Sequence, residues 1–316
     1  MERLTVNHLF EVYELYQELY GRAPGWKTAE SDAMSFAMAC LASRSKKQKM
    51  LNKPHIDFAA EGFTVLEVFS GRGEHYKHLN LPDELKLNKY HHLDMVDHSA
   101  AAPDFVLGNV MDVDLKDLNL NCIVAPFYSV STVFDEAYRH TRANLLKWFS
   151  SMRRSLREGG GLFIDYAPNG YNQGLYAASA DDAAAQKLEI LPNRPLRRRF
   201  SIPYDVKCTV ELSQKAWYDR MTATFYEQFS CPISVNAGSQ TVAQVTVRQP
   251  LTQRYFTEPE LVDVALETGF RDILFFCNDY SDGLFELLDS KLETTDYCID
   301  DDNVEQFQSN GMMFIA

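Results

Sequence analysis

The chain has 316 residues, 44 acidic against 31 basic side chains, a formal net charge of −13 and 46% hydrophobic residues. This length suits one large domain or two small ones, and the hydrophobic content is enough for a full core. The acidic balance disfavours a broad nucleic-acid-binding surface, because such surfaces carry a basic footprint. No apolar run is long enough to predict a membrane span. The six cysteines are scattered without a C-x-x-C pair, which is typical of reduced thiols in a cytoplasmic protein.

The first 48 residues are predicted to form two helices, separated by a glycine- and proline-containing break at residues 21–25. The first helix carries Tyr13, Tyr16 and Tyr20 at helical spacing. These tyrosines either pack within the fold or form a lid over a ligand. The second helix is predicted from about residue 28, and residues 1–58 together are assigned to an N-terminal helical cap.

The stretch from residue 63 to 78, FTVLEVFSGRGEHYKH, holds the main functional signal. An apolar, β-branched run that carries Glu67 breaks at Ser70-Gly71-Arg72-Gly73, and a helix-compatible segment follows. A strand, a glycine turn and a helix in this order place backbone N–H groups beside an anionic or nucleoside ligand. The carboxylate at the strand end suits a cation or a hydrogen-bond donor. The turn lacks the full G-x-G-x-x-G pattern of dinucleotide-binding proteins.

Further strands are predicted at residues 89–98, 105–112, 121–131 and 162–166. The longest helix of this region is predicted over residues 134–156, ends at the glycine run of residues 159–161, and carries His140 as a surface histidine. Strands that alternate with helices indicate an α/β fold with a doubly wound parallel sheet. Ligands of such sheets lie outside the carboxyl ends of the strands. These ends carry Glu67, Gly71, Asp94, Asn109, Pro126, Phe127, Asp165 and Tyr166.

The histidines of the segment KYHHLDMVDH, residues 89–98, resemble metal ligands in type. In a strand, however, His91 and His92 face opposite sides, and only His92 shares a face with Asp94. No second cluster of ligands completes a tetrahedral set, so no metal is predicted.

Beyond residue 169 the sequence changes character. Residues 169–191 are polar and alanine-rich and are predicted to form a loop or a short helix. Near-alternation of apolar and polar residues over 206–212, 217–229 and 242–248 predicts antiparallel strands. We therefore assign residues 169–249 to an antiparallel β insert.

The C-terminal part begins with a clear helix signal at Thr257-Glu258-Pro259-Glu260. Thr257 is suited to an N-cap, Glu260 stands at the capping-box distance, and a proline lies in the first turn. This helix is predicted to end at Gly269. Strands are predicted over residues 270–277 and 312–316, and residues 279–305 are predicted to be an acidic surface segment.

With these landmarks in order, residues 60–316 resemble the class I S-adenosylmethionine (SAM)-dependent methyltransferases. The resemblance lies in VLEVFSGRG, VDHS, GNVMD, APFYS, LREGGGLFIDY and RYFTEPELVDVALETGF. The last segment resembles the small-molecule branch, which includes sugar-amine and glycine N-methyltransferases. The resemblance implies a Rossmann-like, seven-stranded sheet with one antiparallel strand, formed by residues 59–168 and 250–316. It also implies SAM as cofactor and S-adenosylhomocysteine (SAH) as product. Because the carboxyl edge of the sheet would then hold the cofactor, we expect the N-terminal cap and the insert to close the acceptor site.

The resemblance further assigns roles to residues. Glu67 would sense the amino end of the cofactor's methionine, and Asp94 would bind the ribose hydroxyls, with Asp97 as the rival register. Tyr128, Asp165 and Tyr166 are candidates for the base that takes a proton from the acceptor, and His140 joins them if its helix turns inward. The expected cofactor-binding set is Glu67, Phe69, Gly71, Gly73, Asp94, Met95, Asn109, Val110, Pro126 and Phe127, and the expected substrate-binding set is Tyr16, Tyr20, Trp217 and Arg220.

Two departures from the family pattern stand out. Phe69 occupies the place of the first glycine, so the turn is expected to be shaped differently, and Asn109 replaces an aspartate. The basic segment Arg194–Arg199 either is a solvated loop or binds a phosphate or nucleotide part of the acceptor.

The predicted function is methyl transfer from SAM to nitrogen or oxygen of a small molecule. One alternative is a nucleic-acid or protein methyltransferase, disfavoured because APFY replaces the N/D-P-P-Y/F tetrapeptide after the fourth strand. The other is a non-catalytic SAM- or nucleoside-binding protein, for which Phe69 is the best support. The expected partners are a small-molecule acceptor and a second copy of the chain, with no membrane and nucleic acid disfavoured.

Overall fold

The computed structural model describes residues 2–6, 26–100, 102–113, 115–126, 128–134, 139–166, 176–190, 208–235, 241–248, 250–279, 284–288 and 310–316. The chain forms two compact units. The insert unit comprises Met1–Arg22 and Gly170–Arg254, and the main unit comprises Ala23–Asn169 and Tyr255–Ala316.

The secondary-structure elements are numbered here in chain order. The strands are β1 (Glu2–Val6), β2 (Phe63–Val68), β3 (Leu87–Asp94), β4 (Phe105–Leu107), β5 (Leu120–Ala125), β6 (Leu156–Asp165), β7 (Gln186–Ile190), β8 (Cys208–Asp219), β9 (Thr224–Val235), β10 (Thr241–Val247), β11 (Leu251–Arg254), β12 (Asp272–Asp279), β13 (Leu284–Leu288) and β14 (Gly311–Ile315). The α-helices of the described residues are α1 (Trp26–Met50), α2 (Phe58–Glu61), α3 (Arg142–Ser155) and α4 (Glu258–Glu267).

The main unit is built on an eight-stranded sheet in the order β13-β12-β14-β6-β5-β2-β3-β4. The run from β6 to β4 is parallel throughout. β14 lies antiparallel between β6 and β12, as the predicted fold requires. The Rossmann-like α/β prediction is therefore confirmed. β13 is an additional edge strand that pairs antiparallel with β12, within a segment predicted to be acidic surface.

Both faces of this sheet are buried, which explains the apolar strands. On one face, Met34, Met38 and Leu41 of α1 form a core cluster with Val65 and residues of the neighbouring strands. On the other face, Trp148 of α3 belongs to the cluster that contains alternate strand positions such as Leu66 and Ile123. The period of two along each strand decides which helix a given side chain meets.

The insert unit contains a six-stranded sheet in which β7, β8, β9 and β10 are successive antiparallel neighbours. β11 also pairs with β9, along its first residues. The antiparallel strands predicted between residues 206 and 248 are thus present. β7 lies within the stretch predicted to be a loop or short helix, and it forms because β8 offers it a partner.

The N-terminal helix prediction is wrong for residues 2–6. These residues form β1, which pairs in parallel with β10. The alternation in ERLTV is compatible with a strand, and the pairing partner lies more than two hundred residues away, where no local pattern reveals it. Tyr13, Tyr16 and Tyr20 lie outside the described residues. The second predicted helix is present as α1, and it belongs to the main unit.

The long helix α3 is shorter at both ends than predicted. It begins at Arg142, after the N-cap Thr141, whose hydroxyl accepts the Asn144 N–H at 3.2 Å. His140 therefore precedes the helix, and the prediction of a surface helix histidine is wrong. His140 is half-buried, with Nδ1 3.0 Å from the Val133 carbonyl and its ring against Phe134.

The glycine run 159–161 lies inside β6 and does not mark the helix end, because α3 ends at Ser155 and the strand follows directly. Close packing explains the glycines. A Cβ on Gly161 would lie 2.5 Å from Sδ of Met313 and 2.9 Å from a methyl of Leu41. Glycine there allows β6 to approach both β14 and α1.

The helix of the C-terminal part agrees with its prediction. Thr257 accepts the Glu260 N–H at 3.3 Å while the Glu260 carboxylate accepts the Thr257 N–H at 2.8 Å, which completes the capping box. Among the described residues, no helix combines the length and the apolar character needed to cross a membrane.

Candidate functional site

The turn after β2 begins the candidate site at the carboxyl edge of the parallel strands. Phe69, Gly71 and Gly73 have φ of 56°, 52° and 62°. Phe69 thus adopts the left-handed conformation that glycine takes without steric cost. Its ring packs near Trp148, with 6.3 Å between ring centroids. The helix predicted after the turn is only the short 3₁₀ segment His75–His78.

Asp94 ends β3 and lies beside this turn. Its Oδ2 accepts the Gly71 N–H at 2.9 Å, and its Oδ1 accepts the Val96 N–H at 3.0 Å. Burial raises the pKa of Asp94 above its usual range, although these backbone donors act against the rise. The rival Asp97 is exposed and accepts the Ser99 N–H at 2.9 Å. The structure therefore brings Gly71 and Asp94 together and leaves Asp97 outside this contact.

Apolar surface adjoins Asp94 at the ends of β3 and β4. Met95 is 53% exposed and Leu107 is 59% exposed, and Leu107 is the register partner of Asp94. Asn109 follows in a turn in which its Oδ1 accepts the Met111 N–H at 3.0 Å, and Val110 is buried. An edge with one carboxylate and exposed apolar side chains is suited to a ligand with hydroxyls and a flat ring.

The ends of β5 and β6 carry the remaining predicted residues. Pro126 is buried, and Phe127 lies outside the described residues. Asp165 is buried and accepts the Tyr128 N–H at 2.5 Å, while Tyr128 itself is half-buried and has φ of 49°. Tyr166 is buried, and its hydroxyl donates to Glu258 at 3.1 Å. The structure thus joins Tyr128 to Asp165 and directs Tyr166 to α4.

Glu67 lies apart from this edge, on the α1 face of the sheet. It is 0% exposed, and its Oε1 is 2.6 Å from Nδ1 of His75. Its Oε2 accepts the Tyr90 hydroxyl at 3.0 Å and is 3.6 Å from Nδ1 of His92. The other ring nitrogen of His75, Nε2, is 2.6 Å from Glu30 of α1. We call these five residues the buried charge cluster.

The cluster shifts the pKa values of its members strongly. Burial alone would raise the pKa of Glu67, but the charge and hydrogen bond of His75 outweigh it and lower the pKa to about 2. Burial alone would lower the pKa of His75, but the charge of Glu67 and the hydrogen bonds to Glu30 and Glu67 raise it to about 9. These shifts favour an imidazolium at His75 between the two carboxylates at neutral pH.

The sequence patterns missed Glu30 and His75. A signal existed for the strand members, since Glu67, Tyr90 and His92 follow the period of two that places them on one face. No local pattern indicates that Glu30 of α1 meets them. Among the described residues, no group of three or more His, Cys, Asp or Glu side chains is arranged to hold a metal ion.

The expected substrate residues of the insert unit lie on the β8–β9 hairpin. The Trp217 and Tyr226 rings stack with 5.1 Å between centroids and 3° between planes. Arg220 is exposed beyond the end of β8. Tyr16, Tyr20 and the basic segment Arg194–Arg199 lie outside the described residues, so their roles stay predictions.

Comparison with solved structures identifies the fold. The chain is similar to DesVI from Streptomyces venezuelae, with a TM-score of 0.50, 15% identity, and coverage of 84% of this chain and 91% of that one. It is also similar to the sugar N-methyltransferase KedS8 from a Streptoalloteichus species, with a TM-score of 0.53, 14% identity and coverage of 96% and 92%. For the CcbJ methyltransferase from Streptomyces caelestis, the TM-score is 0.50, the identity 16% and the coverage 93% and 96%.

No protein-family model matches the sequence, and no curated protein sequence matches it. At these low identities, the similarity to solved structures shows the fold alone. The chain therefore shares the Rossmann-like fold of these structures, and the comparison with KedS8 covers 96% of it.

Proposed function

We propose that this protein is a SAM-dependent methyltransferase that transfers a methyl group to nitrogen or oxygen of a small molecule. The observation that carries the proposal is the contact between Gly71 and Asp94 at the carboxyl edge of a sheet with this strand order. Support also comes from similarity to a structure described as a sugar N-methyltransferase over 96% of this chain.

The residues at the edge fit the adenosine part of SAM. The Gly71 and Val96 N–H groups each donate to one oxygen of Asp94, and the Met95 N–H also interacts with this carboxylate, which has about four acceptor positions in total. Acceptor capacity therefore remains for a ribose hydroxyl. Met95 and Leu107 offer exposed apolar surface for the adenine, and the Asn109 turn lies next to them.

Bound SAM would supply an electrophilic methyl group on a sulfonium. The protein's own residues then bind, orient and exclude water, because a neutral leaving group needs little further assistance. An acceptor amine or hydroxyl must also lose a proton to a base within hydrogen-bond reach. Asp165 and Tyr166 are buried, whereas Tyr128 is half-buried, so Tyr128→Phe is the first variant to assay.

Calorimetric titration with SAH tests the proposal. The wild-type protein should bind SAH, and Asp94→Asn should raise Kd by about tenfold to a hundredfold, as expected for hydrogen bonds to a charged group. Asp97→Asn is the matched control and should change Kd by less than about twofold. A larger effect at Asp97 would move the ribose site to that residue, and a wild-type protein that does not bind SAH would refute the proposal.

Methyl transfer itself is tested with SAM and a panel of amino sugars, nucleotide-linked amino sugars and hydroxylated sugars. Mass spectrometry should detect a methylated acceptor together with SAH. SAH binding without turnover on any acceptor would favour the non-catalytic alternative, which the unusual Phe69 also favours.

A further inference from the structure

The buried charge cluster has no part in the function proposed above, although it lies directly behind the glycine turn. It joins α1, the 3₁₀ segment after the turn, and strands β2 and β3. Ion pairs that are this deeply buried are unusual and need a close arrangement of partners. Glu30, Glu67 and His75 are 2%, 0% and 5% exposed.

We propose that Glu30 and Glu67 hold His75 as an imidazolium clamp that fastens α1 to the glycine turn, and that Glu67 consequently does not bind the cofactor's amino group. His75 is thereby a positioning residue for the turn. This inference deepens the proposed function and rests on it for the identity of the ligand.

The hydrogen-bond geometry fits a doubly donating ring between two ionised carboxylates. An ionised carboxylate only accepts hydrogen bonds, and His75 has a carboxylate oxygen 2.6 Å from each ring nitrogen. A ring with both nitrogens protonated satisfies both carboxylates at once. The Tyr90 hydroxyl, which donates to the second oxygen of Glu67, stabilises that carboxylate in its ionised form.

The clamp is reinforced by hydroxyls of α1. Ser31 Oγ lies 3.0 Å from the His75 carbonyl oxygen and 2.7 Å from that of Lys27, so its one proton is shared between the two acceptors, and Ser35 Oγ accepts the Asn80 N–H at 2.9 Å. The segment that follows the glycine turn is therefore held by α1 through both main-chain and side-chain contacts. Displacement of α1 would release the far end of the turn.

Burial closes the Glu67 carboxylate to a ligand's ammonium group. Its oxygens are bonded to His75 and Tyr90, His92 lies 3.6 Å away, and no part of the residue is exposed. An ammonium group would have to displace His75 from a buried site. The amino-acid end of SAM must therefore be bound by other acceptors at the carboxyl edge.

Two ligands that differ only at the amino-acid end test whether Glu67 contacts the ammonium group of the ligand. SAH carries the ammonium and carboxylate, and 5′-methylthioadenosine shares its adenosine but lacks both. Glu67→Gln and His75→Gln should weaken binding of the two compounds by the same factor, about fivefold or more, because they loosen the turn. The control His78→Gln, at an exposed position of the same 3₁₀ segment, should change neither affinity by more than about twofold.

A Glu67→Gln protein that loses affinity for SAH at least tenfold more than for 5′-methylthioadenosine overturns the inference. If Glu67→Gln does not fold, Tyr90→Phe provides the same comparison, because it removes one donor from Glu67 without changing the charge. The ratio of the two affinities should stay at its wild-type value. A changed ratio would mean that the ligand contacts Glu67.

Nitrogen-15 NMR of the histidine rings tests the clamp without any ligand. At pH 7.5, His75, assigned by loss of its signals in His75→Gln, should show both ring nitrogens protonated. A neutral His75 ring overturns the clamp, whatever the titrations give. A wild-type protein that binds neither compound refutes the proposed function, and the NMR result then still decides the clamp.

Discussion

The Gly73→Ala substitution tests how closely His92 of β3 packs against the glycine turn. A Cβ on Gly73 would lie 2.7 Å from Cε1 and Nδ1 of His92 and 2.8 Å from Cβ of Ala102, and the residue has φ of 62°. His92 is 0% exposed and cannot swing into solvent. The left-handed conformation costs about 1–2 kcal/mol for alanine, and overpacking a buried site costs about 1–3 kcal/mol more. We expect the free energy of unfolding to fall by about 2–5 kcal/mol.

Gly269→Ala provides the matched control, because that residue also has positive φ, of 96°, but a Cβ there would meet nothing within 4 Å. It should show only the backbone cost of about 1–2 kcal/mol. Urea unfolding of both variants measures the difference through the midpoint, provided that the slope stays constant. Equal losses for the two variants would show that His92 does not press against the turn.

Three further results are expected. Asn121→Ala should lower the free energy of unfolding by about 2–4 kcal/mol. The buried Asn121 amide accepts the Thr64 N–H and donates to the Gly62 carbonyl, at 2.8 Å each, and alanine removes both hydrogen bonds. An unchanged urea midpoint would contradict this expectation. Burial raises the pKa of Cys40 to about 11 and that of Cys122 further. A thiol reagent should therefore label both cysteines slowly until urea unfolds the protein. Fast labelling of the native protein would contradict this expectation. The free energy of unfolding should also fall at alkaline pH. The contribution of a charged His75 is fully present below the ordinary pKa of 6.5 and is lost as the pH rises through about 9, which amounts to about 3 kcal/mol in all. Urea midpoints of His75→Gln should not show this decrease between pH 6.5 and 9.

The sheet of the main unit could be predicted because its signals are local. Apolar strands buried on both faces, a glycine turn and the capping box at Thr257 and Glu260 each identify an element within about ten residues of sequence. The strands that were missed have no such signal. β1 and β7 form because β10 and β8 offer them edges, and pairing partners distant in sequence are not encoded in a short window.

The sequence predicted that the candidate site lies at the strand ends, but it did not predict which residues contact one another there. The sequence left Asp94 and Asp97 as rivals, because both stand near the end of the same predicted strand. Their surroundings differ in the structure, where Asp94 contacts Gly71 across the turn and Asp97 closes a local turn with Ser99. Of the expected substrate-binding residues, Trp217 and Arg220 lie in described parts of the insert unit, and Tyr16 and Tyr20 lie outside the described residues. The roles of all four stay predictions.

Glu67 shows why an acid at a strand end has no fixed role. Its place in the sequence, after alternate apolar residues, puts it on the same face as Val65 and Tyr90, which α1 covers. A carboxylate on a buried face must be paired, since an unpaired charge there is strongly destabilising. α1 covers this face and supplies Glu30, and the segment after the turn supplies His75 between the two acids. The helix that precedes the sheet thus determines the partners of Glu67, and a family motif that covers only the strand and the turn does not contain that information.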